Sequence, residues 1–161
     1  TGFLYAGLMI GKDGSLKTLE LNCRMGDPET QPILMRLKSD FVKLLEHAID
    51  GKLDQIEAEW DRRVALGVVL AAANYPETPK KGDVIQGLPN GNSFGEDAHV
   101  FHAGTAEADG KVVTSGGRVL CVTALGENVK LAQKLAYESA VQISFDGMQF
   151  RKDIGYRAIS R

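Results

Sequence analysis

The sequence has few of the features that mark secreted, membrane-bound or nucleic-acid-binding proteins. It holds only two cysteines in 161 residues, Cys23 and Cys121. Both lie in apolar, strand-like stretches, so we expect buried free thiols in a reducing compartment and no disulfide. No run approaches the roughly 18 apolar residues of a membrane-spanning helix, and a net charge of -2 provides no basic surface for nucleic acid. These absences predict a cytoplasmic protein that binds neither nucleic acid nor membrane.

The residues that are present predict a folded α+β protein. Hydrophobic residues make up 43% of the chain and charged residues 25%, a balance typical of globular domains. Apolar runs on either side of the Asp13-Gly14 turn predict an antiparallel hairpin over residues 3–10 and 16–22. Apolar residues at three- and four-residue spacing predict a helix over 33–50, and a shorter helix is expected over 53–60.

The remaining part of the chain is typical of a small, mostly antiparallel sheet with one packed helix. Short apolar runs separated by glycine-rich turns predict its strands. A final helix is expected over 128–143. The change in composition places a domain boundary near residue 61, which divides the chain into 1–61 and 62–161. The predicted strands cover residues 64–75, 83–86, 98–102, 111–114 and 118–123.

Residues 19–31 form the most informative segment, LELNCRMGDPETQ. Strand side chains alternate between faces, so Glu20, Asn22 and Arg24 should share one face while the apolar residues between them occupy the other. Carboxylate and carboxamide oxygens are ligands that Mg²⁺ takes together with substrate phosphates. The guanidinium of Arg24 offers a planar fork for phosphate or carboxylate. From the residues alone, this is either a metal and phosphate site or one solvated face of a half-exposed strand.

The segment, together with the apolar strand before it, resembles the glycinamide ribonucleotide synthetases, which are phosphoribosylamine-glycine ligases of the ATP-grasp class. The resemblance runs through residues 3–40, returns at TSGGRVLCVTALG over 114–126 and again at FRKDIGYRAI over 150–159. It implies that residues 1–61 are the C-terminal part of an ATP-grasp domain and that 62–161 form the family's C-terminal domain. Because these enzymes are much longer and the chain opens with Thr1 on an apolar strand, we expect a fragment that needs N-terminal segments for activity.

The resemblance also implies an activity and its residues. The complete enzyme would use ATP and Mg²⁺, or Mn²⁺, to join glycine to 5-phosphoribosylamine in purine biosynthesis. Glu20 and Asn22 would bind the metal and the nucleotide phosphates, and Arg24 would be catalytic and contact substrate. A further acidic ligand that many ATP-grasp relatives carry is missing here, near Ala6. The alternatives are an ATP-grasp ligase for another carboxylate, or a noncatalytic partner module with the same fold.

Other candidate residues have weaker signals. Asp27 is a substrate-binding candidate, although Asp-Pro is also a common turn, and Asp27 or Glu29 could form a salt bridge with Arg24. Arg118 is a second substrate candidate, in a TSGGR loop that we interpret as a tight hairpin because it lacks the glycine pattern of a P-loop. His99 and His102 would face opposite sides of a strand, so a structural role is favoured over zinc binding.

Overall fold

The computed structural model describes residues 1–159 and has an α+β fold with antiparallel sheets and few helices. Within these residues no helix has the length and apolar character that crossing a membrane requires. Two short 3-10 segments cover Leu53–Gln55 and Asn90–Asn92. The strands are β1 (Tyr5–Ile10), β2 (Leu16–Asn22), β3 (Val64–Ala71), β4 (Ala98–His102), β5 (Thr105–Ala108), β6 (Lys111–Thr114) and β7 (Arg118–Gly126). The helices are α1 (Thr30–Arg36), α2 (Phe41–Ile49), α3 (Val129–Ala140) and α4 (Tyr156–Ile159).

The predicted N-terminal hairpin is confirmed, with β1 and β2 antiparallel around the Asp13-Gly14 turn. The Asp13 carboxylate accepts hydrogen bonds from the backbone N–H and the hydroxyl of Ser15, which closes the turn. A β-bulge interrupts the pairing, because Leu8 pairs with Thr18 whereas Gly7 pairs with Glu20. The bulge therefore changes which residues of β1 lie opposite the end of β2.

The single helix predicted over 33–50 is wrong, because the structure has two helices there. Leu37 is extended and forms an antiparallel bridge with Trp60, and the backbone N–H of Lys38 donates to the Glu59 carbonyl at 2.9 Å. The Asp40 carboxylate then caps the N-terminus of α2. The helix predicted over 53–60 is also wrong beyond its first residues, since the chain around residue 59 is extended and pairs with residues 37–38.

A three-stranded antiparallel sheet in the order β3-β7-β4 forms the centre of the C-terminal part. The predicted strands over 98–102 and 111–114 match β4 and β6. Strand β7 ends three residues after its predicted end, whereas β3 ends four residues before its own. The strand β5 was not predicted, and pairs with β6 in a separate sheet. The strand predicted over 83–86 is reduced to two isolated bridges.

The central sheet has α3 on one face and α1 on the other. Small buried residues of α3, Ala132, Ala136 and Ala140, bring that helix close to the core side chains of β3 and β7. On the opposite face, Gly67 of β3 leaves room for Pro32 of α1. This second contact connects the sheet to the segment that follows β2.

Candidate functional site

The end of β2 brings polar side chains of both hairpin strands together. Asn22 pairs with Tyr5, and Glu20 pairs with Gly7. A Cβ atom placed on Gly7 would lie 3.0 Å from Glu20 Cγ and 3.6 Å from the Tyr5 ring, so both side chains occupy the face on which Gly7 has none. The predicted common face of Glu20 and Asn22 therefore also holds Tyr5. Leu19 and Leu21 are each 64% exposed in this chain.

The position of Arg24 differs from the sequence expectation. Strand β2 ends at Asn22, so Arg24 lies in the bend that follows and strand alternation does not orient it. Its Nη1 donates to the backbone carbonyl of Met25 at 2.9 Å. Asp27, one of the two carboxylates considered as its partner, instead pairs with Arg118.

Tyr5 provides an electrostatic link within this cluster. Its hydroxyl donates to Glu29 Oε1 at 3.1 Å. That hydrogen bond and the charge of Glu29 raise the pKa of Tyr5 above its ordinary value, with a smaller contribution from Glu20, while Arg24 opposes the shift. The charges of Glu20, Glu29 and Arg24 are thus all close enough to influence one phenol.

The turn from residue 24 to residue 29 is held closely against this cluster. A Cβ atom on Gly26 would lie 2.9 Å from the Tyr5 ring and would overlap the Glu29 carboxylate, so glycine allows the close approach. The Gly26 carbonyl accepts hydrogen bonds from the backbone N–H and the hydroxyl of Thr30 at the start of α1. The turn and the first residues of α1 therefore form one hydrogen-bonded unit.

Arg118 and Asp27, two residues predicted separately as substrate contacts, lie together. Arg118 Nη2 is 3.1 Å from Asp27 Oδ2, and Nη1 donates to the Asp27 backbone carbonyl at 2.8 Å. Both side chains are partly exposed, at 41% and 43%. The structure thus connects residues 91 positions apart, whereas their contact with substrate stays a prediction.

The interpretation of the TSGGR loop as a tight hairpin is wrong. Its flanking strands, β6 and β7, belong to different sheets, so the loop connects two sheets. The Gly104 carbonyl accepts from the backbone N–H groups of Ser115 and Gly116, and the Gly117 carbonyl accepts from Ala72. These contacts fix the backbone immediately before Arg118.

Glu20 and Asn22 together have a donor set that fits a hard cation only in part. No group of three or more His, Cys, Asp or Glu residues able to hold a metal occurs within residues 1–159. The Asn22 Nδ2 atom is buried and finds no hydrogen-bond partner among those residues. A half-turn of the carboxamide would exchange its nitrogen and oxygen and leave an oxygen at this unpaired position. Two oxygen ligands suit Mg²⁺, which commonly keeps waters and binds substrate phosphates.

His99, His102 and Cys121 belong to the C-terminal part of the chain, whereas Cys23 directly follows β2. His99 Nδ1 is 2.9 Å from Ser93 Oγ, and the ring of His102 contacts Thr105 and Asn92, as expected for structural residues. Cys121 is buried, and burial raises the pKa of its thiol. The prediction that Cys23 is buried is wrong, because it follows the last residue of β2 and is exposed.

Sequence reasoning missed Tyr5 and the close packing at Gly26. The only local signal for Tyr5 is its place on the strand paired with β2, and simple counting from the turn gives the wrong partner. Without the bulge Tyr5 would lie opposite Leu21, because the pairs nearest the turn join Ile10 with Leu16 and Met9 with Lys17. The bulge moves Tyr5 opposite Asn22.

Comparisons with known proteins agree with the sequence resemblance. The family model described as "Phosphoribosylglycinamide synthetase, C domain" matches residues 65–157. Relatives named phosphoribosylamine-glycine ligase include one from Ralstonia nicotianae, 64% identical, and one from Vibrio parahaemolyticus, 63% identical, each over all 161 residues. The chain spans 37% of the length of these curated relatives.

A solved structure supports the same assignment. The crystal structure of phosphoribosylamine-glycine ligase from Thermotoga maritima is similar to 94% of this chain with a TM-score of 0.77 and 41% sequence identity. The match covers 36% of that chain. The chain belongs to the phosphoribosylglycinamide synthetase family.

Proposed function

We propose that this chain supplies the metal-binding and part of the substrate-binding site of an ATP-dependent ligase that joins glycine to 5-phosphoribosylamine. The products would be glycinamide ribonucleotide, ADP and phosphate, formed in the cytoplasm during purine biosynthesis. The observation that carries this proposal is the 64% identity, over the whole chain, to a relative whose name states both substrates. The polar cluster at the end of β2 provides the chemistry.

Glu20 and Asn22 would hold a Mg²⁺ or Mn²⁺ ion against the nucleotide phosphates. Such an ion supplies charge neutralisation and orientation for in-line phosphoryl transfer. In this arrangement Glu20 provides an anionic ligand and Asn22 a neutral one. The Tyr5 hydroxyl donates its hydrogen bond to Glu29 and not to Glu20, so the Glu20 carboxylate would remain available to bind the cation.

Arg24 would act on the substrate side of the same site. Its guanidinium has four further N–H donors besides the one used on Met25, and it extends from the turn that follows the proposed metal-binding strand. It would bind the carboxylate of glycine and then the acyl phosphate formed from it, which carries more negative charge. An interaction that strengthens as charge develops lowers the barrier. Asp27 and Arg118, the other two residues predicted from the sequence to contact substrate, border this turn.

The organisation of the chain follows from the same proposal. Residues 1–61 would complete an ATP-grasp domain, and residues 62–161 would be the C-terminal domain of the ligase. The rest of the ATP site would come from the part of the enzyme that the relatives have and this chain does not contain. Segments from that part are the expected partners of the hairpin.

The test is a hybrid ligase in which these 161 residues replace the matching part of the Ralstonia nicotianae relative. We expect ADP release that requires both glycine and 5-phosphoribosylamine, and we expect Glu20→Gln to remove most of it while raising the Mg²⁺ concentration needed. The control is Glu107→Gln, which makes the same change on the exposed strand β5. A folded hybrid without activity, or full activity in Glu20→Gln, would contradict the proposal.

A further inference from the structure

Arg118 contacts the turn that carries Arg24 from the other half of the chain. We propose that Arg118 is a positioning residue, which fixes this turn by holding Asp27 and so sets the place of Arg24 for the transfer step. The inference rests on the proposed function, and it gives Arg118 an indirect role in place of direct contact with substrate.

The geometry of the contact fixes the backbone as well as a side chain. One guanidinium nitrogen donates to the Asp27 carbonyl at 2.8 Å and another lies 3.1 Å from its carboxylate. A planar fork that binds two groups of a single residue restricts both its position and its orientation. Removing the Asp27 side chain would leave the carbonyl contact, whereas removing the guanidinium would release both.

The sheet gives Arg118 a rigid base. Arg118 is the first residue of β7, the central strand of its sheet, and lies opposite Ala71. Its own carbonyl accepts from the Gly104 N–H at 2.9 Å. The helix that follows the turn contacts the same sheet at a second point, where Pro32 of α1 lies over Gly67. Two contacts on one sheet hold the segment between them.

The exposure of the Arg118–Asp27 ion pair makes it possible to distinguish an effect on the position of Arg24 from an effect on stability. An ion pair with both partners about 40% exposed contributes little to the free energy of unfolding. A displacement of about 1 Å at a catalytic group, in contrast, can lower a rate by about a hundredfold. A positioning role therefore predicts a large kinetic effect with a small effect on stability.

The first measurement is hydrogen exchange in the 161-residue chain, which does not depend on activity. Arg118→Met should make the Thr30 and Ile33 amides, which donate to the Gly26 and Glu29 carbonyls of the turn, exchange about threefold to fivefold faster, since the turn loses its contact with the sheet. Arg63→Lys is a control for the loss of a guanidinium fork elsewhere, at an arginine that pairs with Asp61 and Asp97 at the opposite end of β3. Unchanged exchange at Thr30 and Ile33 in Arg118→Met would overturn the inference, whatever the ligase assay shows.

The second measurement is steady-state kinetics in the hybrid ligase. We expect Arg118→Met to lower kcat about tenfold, with each KM changed less than about twofold, and Asp27→Ala to lower it less. The double variant should match Arg118→Met alone, because both changes act through one contact. Arg118→Lys should recover part of the rate, and Arg63→Lys should keep kcat.

Each kinetic outcome discriminates between the two roles of Arg118. Direct substrate contact would raise the KM for one substrate about tenfold in Arg118→Met. The same rise on adding Arg118→Met to the Asp27→Ala variant would confirm that contact and overturn the positioning role. An unchanged kcat in Arg118→Met would overturn it as well. Failure of the unmutated hybrid to ligate would instead refute the proposed function, and the exchange measurement would still decide whether Arg118 holds the turn.

Discussion

Replacing Gly67 by valine should destabilise the packing of α1 on the central sheet. A Cβ atom at this position would lie 3.0 Å from Cys121 Sγ, 3.3 Å from Pro32 Cγ and 3.4 Å from Thr123 Oγ1. Optimal contacts between carbon atoms lie at about 3.5–4.0 Å, so even one added carbon requires a small shift of α1. The two methyl groups of valine extend further toward Pro32 and require a larger one.

The size of the effect follows from opposing contributions. Overpacking a well-filled interior costs roughly 1–3 kcal/mol. Valine favours strands and restricts the unfolded chain more than glycine does, which offsets up to about 1 kcal/mol. We therefore expect a net loss of roughly 1–2 kcal/mol, which lowers the thermal midpoint of a chain of this length by about 2–8 °C.

The assay is urea unfolding of the 161-residue chain, followed by circular dichroism and by the fluorescence of Trp60. Trp60 is the only tryptophan and bridges to Leu37 just after α1, so it reports on the displaced region. Cys121→Ala removes the Sγ atom that lies nearest to the added carbon. The double variant should thus be more stable than the sum of the two single losses predicts. Unchanged stability in Gly67→Val, or strictly additive losses, would refute the reasoning.

Four further outcomes are expected. The 161-residue chain alone should release no ADP in a glycine-dependent manner, and steady turnover by the purified chain would contradict this. In the hybrid ligase Asn22→Ala should weaken the use of Mg²⁺ in titrations, whereas the adjacent Cys23→Ala should leave the metal dependence unchanged. Arg24→Lys should raise the barrier by roughly 2 to 4 kcal/mol, a thirty- to thousandfold loss of rate, without changing the Mg²⁺ requirement; normal rates with both substrates would exclude the substrate role. Hydrogen bonds from Arg63 lower the pKa of Asp61 to about 2. The ionised Asp61 carboxylate therefore stabilises the fold above its pKa in the unfolded chain, about 3.9, and this stabilisation is lost as the pH falls toward 2. Acid unfolding of Asp61→Asn should lack this component, and an unchanged pH profile would argue against it.

Elements with local signals were predictable from the sequence. The Asp13-Gly14 turn and the alternation beside it placed β2 over the residues that the structure gives it. The helix predicted over 128–143 from apolar spacing corresponds to α3, which ends three residues earlier and which Asn128 caps by accepting from the Leu131 N–H. Turn and cap residues act on their immediate neighbours, so they can be recognised without knowledge of the rest of the fold.

The break between α1 and α2 depends on residues that are distant in sequence. The apolar spacing continues from Ile33 to Ile49, and by itself it predicts one helix. The break forms because residues 37–39 pair with residues 59–60, which lie about 20 positions away. Tertiary hydrogen bonds outweigh helix propensity there, since propensities are small for each residue.

The candidate site divides in the same way. The sequence by itself determined that Glu20 and Asn22 share one face, because neighbouring positions of a regular strand alternate. Metal binding by these two residues and the domain boundary near residue 61 stay predictions. Only the tertiary structure decided that Tyr5 lies opposite Asn22, since the bulge that shifts the register has no local sequence signal. The contact of Arg118 with Asp27 likewise arises from the way α1 and β7 pack, which brings together side chains 91 residues apart.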